Sequence, residues 1–239
     1  TAVVPTFTRH PVAMAQQATS TQMACSGRFS LGIGLAHKFM VEDMWGLSYE
    51  KPAQQMRVYL EILQPLMQGE AVTHKNEQFD VKLTAMPKGT ETSLLIAALG
   101  PMMLKLAGQL TAGTITWATG FETLENHTIP SITLAAEQAG RPSPRIVAGF
   151  PVLLTKNKRE AFDLVTKVFA VYAEVPSYRA MLDREGAGGI EDIALIGDEA
   201  ELARQLDRLE SIGVTDLLVM PFETVPGEVE RTVEYLTGR

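Results

Sequence analysis

A glycine–proline turn near the middle of the chain has the composition of an anion-binding site. In the segment 97–101 (AALGP), an apolar strand ends at Leu99 and a helix begins at Pro101. The first N–H groups of a helix have no partner within it and lie at the positive end of the helix dipole. The turn therefore predicts either a phosphate-binding site or an ordinary tight strand–helix connection, in which Gly-Pro is also common.

A histidine that follows a glycine-containing strand is the second candidate for chemistry. The segment 27–39 reads GRFSLGIGLAHKF, and Gly32 and Gly34 in its strand indicate close approach of another backbone or of a flat ligand. His37 comes just after the strand, and an imidazole titrates near neutral pH, so it could donate a proton. The alternative is a loop histidine that hydrogen-bonds the backbone.

Motifs typical of zinc, nucleotide and serine-hydrolase sites do not occur in the sequence. It contains no HExxH, CxxC, GxGxxG, Walker or GxSxG pattern. Its one cysteine, Cys25, excludes an internal disulfide and is typical of a reducing compartment. His10, His74 and His127 stand singly, so we predict no metal site.

Length and charge limit the class of protein. The 239 residues suffice for one large domain with a sizeable core, and 46% of them are hydrophobic. A formal net charge of −7 without a basic stripe excludes nucleic acid as a partner. The sequence has no apolar run of the roughly 20 residues that span a bilayer and no signal peptide at its start. We therefore expect a soluble cytoplasmic protein.

Short apolar segments alternate with helical patterns along the chain. We predict six strands, over 2–6, 29–34, 94–99, 114–119, 146–155 and 217–222. Helices are predicted over 11–22, 51–68, 128–139, 158–172 and 225–236, with one more beginning at Pro101 and one capped by the box Asp198–Glu201. The polar segment 70–92 is predicted to be an inserted loop or hairpin. Continuous apolar strands between helices indicate a parallel sheet covered on both faces.

Periodicity alone does not distinguish a doubly wound sheet from a (β/α)8 barrel. A complete barrel has eight strands, and only six are predicted. Either the architecture is not a barrel, or this sequence is part of a longer chain.

Five segments in order resemble the luciferase-like monooxygenase superfamily. They are TAVVPTFTRHPVAMAQQA, GRFSLGIGLAH, MWGLSYEKPAQQMRVYLEIL, LLIAALGPMMLKLAGQLTAGTITW and SIGVTDLLVMPF. They resemble most its F420-dependent oxidoreductase branch, often named after methylenetetrahydromethanopterin reductase. The resemblance implies an α/β fold, a (β/α)8 TIM barrel that forms one domain over 1–239. It also implies that the first two βα units are missing, that the present first strand is strand three, and that 70–92 is an insertion.

The resemblance also implies where a deazaflavin would bind. The cofactor would lie across the carboxyl-terminal mouth of the barrel, with His37 as the acid/base residue. The implied cofactor-binding residues are Ala2 and Val3 under the ring, Gly34 and Leu35 facing it, Ala98, Leu99, Gly100, Pro101 and Met102 at the phosphate, and Trp117 and Ala118 beside the tail. One departure from the family is Ala112, where relatives usually carry an aspartate.

Three functions follow from the resemblance. The first is hydride transfer between coenzyme F420 and a small organic substrate. The second is an FMN-dependent monooxygenase, because both cofactors present a tricyclic ring and a phosphate. The third is a non-catalytic flavin-binding barrel. A homodimer is a further expectation from the family.

Overall fold

A computed structural model describes residues 1–84 and 87–238. Its strands are β1 (Val4–Pro5), β2 (Ser30–Gly34), β3 (Val72–Lys75), β4 (Asp80–Leu83), β5 (Ser93–Ala97), β6 (Gly113–Trp117), β7 (Arg145–Leu154), β8 (Leu195–Gly197) and β9 (Asp216–Pro221). Its α-helices are α1 (Pro11–Ala24), α2 (Pro52–Met67), α3 (Pro101–Leu110), α4 (Phe121–Thr123), α5 (Ile129–Gln138), α6 (Lys158–Glu174), α7 (Pro176–Glu185), α8 (Glu199–Ser211) and α9 (Glu228–Thr237). Among these residues no helix combines the length and apolar character needed to cross a bilayer.

The main sheet is parallel throughout. Its order is β1-β2-β5-β6-β7, and β7 then pairs with both β8 and β9. Strand β7 is ten residues long, which leaves room for several partners. Its residues 145–149 pair with β6, residues 147–152 pair with β9, and residues 152–154 pair with β8. The strands β3 and β4 form a separate antiparallel hairpin in the segment predicted as a loop or hairpin.

The prediction of six strands was wrong, because the main sheet has seven. The additional strand, β8, has only three residues and gives no recognisable apolar run. The ten-residue helix α7 was also missed, because most of its residues are polar and only Tyr178, Met181 and Leu182 are buried. Strands β5 and β6 end two residues earlier than predicted, at Ala97 and Trp117, so the residues that follow belong to loops.

The predicted capping box of α8 was confirmed, whereas the predicted start of one helix was not. The side chain of Asp198 accepts a hydrogen bond from the Glu201 N–H, and the Glu201 side chain accepts one from the Asp198 N–H, which completes the capping box of α8. The helix predicted from Thr128 begins earlier, since α4 and a π-helical turn over Leu124–Thr128 precede α5.

The two faces of the main sheet pack against different partners. On the outer face, Leu31, Ile33, Leu94 and Ile96 are buried against the helices. On the inner face, a cluster of Leu95, Ile115 and Val147 packs with Val3 and Leu218, which come from opposite ends of the sheet. This alternation follows from the two-residue period of a strand.

An arginine at the amino-terminal end of β7 shows how strongly the sheet curves. The guanidinium of Arg145 makes two hydrogen bonds to Asp216, at 3.2 and 2.6 Å. It also donates to the hydroxyls of Ser93, at 3.2 Å, and of Ser30, at 2.9 Å. Because Ser30 lies three strands away and strands are spaced by about 4.8 Å, a flat sheet would put it out of reach. The inner face is therefore concave.

The charge of Arg145 also changes the titration of its partner. Burial alone would raise the pKa of Asp216, but hydrogen bonds from Arg145 and Thr215 and the positive charge of Arg145 outweigh it and hold the pKa below its ordinary value. A carboxyl group with a depressed pKa in the folded state stabilises the protein above its unfolded pKa of about 3.9 and loses that contribution as the pH falls.

Replacement of Asp216 by Asn should therefore lower the free energy of unfolding at pH 7. We expect about 1 to 2 kcal/mol, since the pair is bidentate but about a third exposed. The difference from the wild type should begin to shrink below a pH of about 4 and vanish below the depressed pKa of the folded state. Urea unfolding across this pH range measures it. The matched Asp80→Asn variant breaks an exposed pair with Lys75 and should change little; equal losses in both variants would contradict the account.

Candidate active site

A cavity of about 590 Å³ lies at the carboxyl-terminal edge of the main sheet. This is the edge at which parallel α/β proteins place their ligands, because all strand ends and the loops after them converge there. The predicted site residues that line it are Ala2, Val3, Gly34, Leu35, His37, Ala98, Leu99, Gly100 and Trp117. The structure thus brings together residues from β1, β2, β5 and β6 and the segments that flank them.

Three of the predicted residues do not line the cavity. Pro101 and Met102 lie at the exposed start of α3, and 69% of the Met102 side chain is accessible. Its neighbour Met103 lines the cavity instead. Ala118 is fully buried and has a φ of +52°, which turns the chain as it leaves β6.

The inner wall of the cavity is flat where β2 meets β1 and β5. A Cβ atom on Gly34 would come within 2.7 Å of Val3 Cγ2 and 3.3 Å of the Ala97 Cβ. Any side chain at this position would have to displace Val3. Ala2 and Val3, which are joined by a cis peptide bond, continue this part of the wall.

His37 is half-buried on the cavity wall. Its ring stacks on Phe39 at 5.9 Å and meets the ring of Tyr178 edge-on at 5.4 Å. Burial lowers the pKa of His37, so the imidazole is neutral at pH 7. No described residue forms a hydrogen bond with the imidazole, so the alternative of a backbone-bonded loop histidine is not what the structure shows. The ring is free to bond a ligand.

The first turn of α3 is open to a ligand. Gly100 precedes the helix in an extended conformation, and no side chain caps the helix start. A Cβ atom on Gly100 would meet nothing within 4 Å. The preceding turn is held from behind by His127, whose Nε2 lies 3.2 Å from the Leu99 carbonyl oxygen. Because Met102 and Met103 lie in the first turn of α3, their N–H groups have no acceptor within the helix.

The start of α4, after β6, is closed by comparison. The carboxylate of Glu185 accepts hydrogen bonds from the N–H groups of Glu122, at 3.1 Å, and Thr123, at 2.7 Å. An anion already occupies that helix start, in the form of a side chain from the end of α7. Of these two helix starts, only that of α3 is free to accept an external anion.

Sequence reasoning missed several residues of the cavity wall. They are Ala36, Tyr49, Ala97, Met103, Ile115, Thr116, Tyr172, Ser177, Tyr178, Leu218, Val219, Met220 and Pro221. Tyr49 stacks on Phe7 at 5.4 Å and donates from its hydroxyl to the Ala36 carbonyl at 3.4 Å. The Pro176 that begins α7 was the one available signal for Ser177 and Tyr178, since proline is common in the first turn of a helix.

Ala112 does not line the cavity, and the described residues contain no group of metal ligands. Ala112 immediately precedes β6 at the amino-terminal end of that strand, so the absent aspartate lies away from the cavity. In the described part of the chain, no three His, Cys, Asp or Glu side chains lie close enough to hold a metal ion.

Comparison with known proteins supports the same interpretation. Residues 1–216 match the family model of the luciferase-like monooxygenases. The chain is 24% identical over 248 residues to the 5,10-methylenetetrahydromethanopterin reductase of Methanopyrus kandleri, a match that covers 95% of this chain and 69% of that protein.

Solved structures show the same fold. The coenzyme F420-dependent tetrahydromethanopterin reductase from Methanopyrus kandleri superposes with a TM-score of 0.80 at 20% identity, over 98% of this chain and 80% of that chain. The oxygenating constituent of 3,6-diketocamphane monooxygenase from Pseudomonas putida, in complex with FMN, gives 0.72 at 16% identity, over 95% and 74%.

These similarities confirm the predicted α/β TIM-barrel fold class. The proteins compared are reductases and a monooxygenase, and all of them are enzymes. The family model covers far more than half of the sequence. The chain therefore belongs to the luciferase-like monooxygenase family of enzymes.

Proposed function

We propose that this chain binds coenzyme F420 and transfers a hydride between the cofactor and a small organic substrate. The observation that carries the proposal is the cavity at the carboxyl ends of the strands, with an uncapped helix start at Gly100 and a free imidazole at His37. The F420-dependent reductase of Methanopyrus kandleri, similar in sequence and in fold, supports this choice of cofactor.

The residues present fit a flat ring with a phosphate-bearing tail. The ring would lie against the part of the wall formed by Val3, Gly34 and Ala97, whose side chains are small or absent. The phosphate would bind the free N–H groups of Met102 and Met103, at the positive end of α3. When bound, a deazaflavin supplies the carbon that carries the hydride. The chain itself contributes orientation, exclusion of water and proton transfer.

His37 would move a proton at the substrate oxygen. In carbonyl reduction the imidazolium donates the proton, and in alcohol oxidation the neutral imidazole accepts it. Its environment of Phe39 and Tyr178 favours the neutral form at pH 7. Reduction should therefore be faster in mildly acidic solution.

The alternative is an FMN-dependent monooxygenase, and the FMN-bound structural neighbour favours it. The two functions differ at the cofactor: a reduced flavin reacts with oxygen, whereas a deazaflavin, which has carbon in place of one ring nitrogen, does not. Fluorescence titration of the protein with F420 and with FMN separates them. We expect micromolar binding of F420 and much weaker binding of FMN; the reverse order would establish the alternative.

Substitution of Gly100 tests whether the start of α3 holds the phosphate. Gly100→Asp places a carboxylate at the N-cap, where it accepts the free N–H groups and repels a phosphate while stabilising the helix. We expect the affinity for F420 to fall at least about tenfold. The affinity for the deazaflavin nucleoside without the phosphate-bearing tail should not change. Gly100→Ala leaves the N–H groups free and serves as the control. An equal loss for both ligands would contradict the assignment.

Substitution of His37 tests its role in proton transfer. His37→Gln should lower the rate at which ketones and aldehydes oxidise reduced F420 by about 10² to 10⁴. The F420 dissociation constant should stay within about threefold of the wild-type value, because the imidazole of His37 acts on the substrate and not on the binding of the cofactor. In the wild type the reduction rate should fall as the pH rises through a midpoint below about 6.5, and the variant should lose this dependence.

The control for His37 is His10→Asn. His10 Nδ1 accepts a hydrogen bond from the Val12 N–H at the start of α1, and asparagine retains that acceptor. Wild-type turnover in His37→Gln, or the same loss in His10→Asn, would show that His37 has no part in the chemistry.

A further inference from the structure

The wall of the cavity carries no charged side chain in the described part of the chain. Its residues include no aspartate, glutamate, lysine or arginine. Burial lowers the pKa of His37 and raises the pKa values of Tyr49 and Tyr178, so these groups are neutral at pH 7. Apart from the start of α3, where the cofactor phosphate would bind, an ionised group of a substrate would find no counter-charge in this wall.

The absence of counter-charges decides which substrates can be desolvated here. Burying an unpaired carboxylate or ammonium group costs several kcal/mol, whereas a neutral carbonyl or hydroxyl needs only one hydrogen bond to offset its lost water. A cavity of this lining therefore favours uncharged molecules. Since a cofactor ring would share the volume of about 590 Å³, the substrate must also be small.

Four hydroxyl groups in the wall have no hydrogen-bond partner among the described residues, those of Thr116, Tyr172, Ser177 and Tyr178. That of Tyr178 belongs to a ring in contact with His37. Tyr178 is 9% exposed, and its hydroxyl has no hydrogen-bond partner among the described residues. Its ring lies 5.4 Å from that of His37 and 5.0 Å from that of Tyr172. The hydroxyl of Tyr49, by contrast, is already bonded to the Ala36 carbonyl. Tyr178 and His37 therefore present two neighbouring, unpaired polar groups.

The carboxyl-terminal half of α7, the helix that carries Tyr178, is attached to α4, and Arg179 joins the helix to the segment that follows it. Glu185 binds the backbone of α4, and the Thr123 hydroxyl donates to the Met181 carbonyl at 3.3 Å. Arg179 donates to the carbonyl oxygens of Ala187, at 2.7 Å, and Gly188, at 2.9 Å. The hydroxyl of Tyr178 is thus held in place before a substrate arrives, which reduces the entropy lost on binding.

We propose that Tyr178 binds the oxygen of a small uncharged carbonyl or hydroxyl compound beside His37, and that the charge-free wall rejects substrates ionised near that oxygen. The inference rests on the proposed function, which identifies the cofactor that would share the cavity with the substrate. Tyr178, His37 and the other wall residues named here belong to this chain, so the selectivity of this wall is measurable as binding without turnover.

The test compares two ligands of similar size, cyclohexanone and cyclohexanecarboxylate. Ligand-observed NMR gives their dissociation constants in phosphate buffer, in which phosphate fills the start of α3, with and without saturating F420. We expect cyclohexanone to bind at least about tenfold more tightly than the carboxylate. Tyr178→Phe should weaken cyclohexanone about three- to tenfold and leave F420 binding unchanged. The matched control is Tyr235→Phe, since the hydroxyl of Tyr235 donates to the Glu199 carbonyl.

A variant that gains binding of the carboxylate shows that the effects do not come from loss of folding. Met220 lines the cavity and is 43% exposed, so a lysine is tolerated there. Met220→Lys supplies a counter-charge and should improve binding of the carboxylate at least about tenfold. Equal or tighter binding of the carboxylate by the wild type, or no effect of Tyr178→Phe, overturns the inference. Failure of both F420 and FMN to bind, with the ketone preference intact, overturns the proposed function and leaves the inference standing.

Discussion

The whole site depends on how the concave face of the sheet is filled. At the amino-terminal end, Arg145 ties β7 to β2, β5 and β9. In the middle, Leu95 and Ile115 belong to a packed apolar layer. At the carboxyl-terminal end, the small residues Gly34 on β2 and Ala97 on β5 line the cavity. The concave face is therefore packed with side chains at its amino-terminal end and open at its carboxyl-terminal end, where the cavity lies.

The same curvature determines what chemistry the cavity can support. Because the strands are parallel, α3 begins at the edge where the cavity opens, and its free N–H groups face the side from which an anionic tail would approach. Because α7 is held against α4 by Glu185, the opposite wall is supplied by aromatic and hydroxyl groups. In the proposed function, anion binding belongs to α3 and substrate binding to His37 and to Tyr178 of α7.

The sequence predicted the elements with a strong local signal. Apolar strands such as β5 and the capping box of α8 were recognised because one short segment determines each of them. The turn at Gly100 and the histidine after β2 were recognised for the same reason. Short or polar elements were missed, since β8 has three residues and α7 buries only a narrow stripe. Tyr178 joins the site only through the packing of α7, and no local pattern encodes that packing.

The most direct test of this account is a crystal structure of the protein soaked with F420. The account predicts the deazaflavin ring against Gly34 and Ala97 and the phosphate on the backbone N–H groups at the start of α3. His37 and Tyr178 should face the same side of the ring, with room for a small molecule between them. A ring bound outside this cavity, or a phosphate held at another helix start, would contradict it.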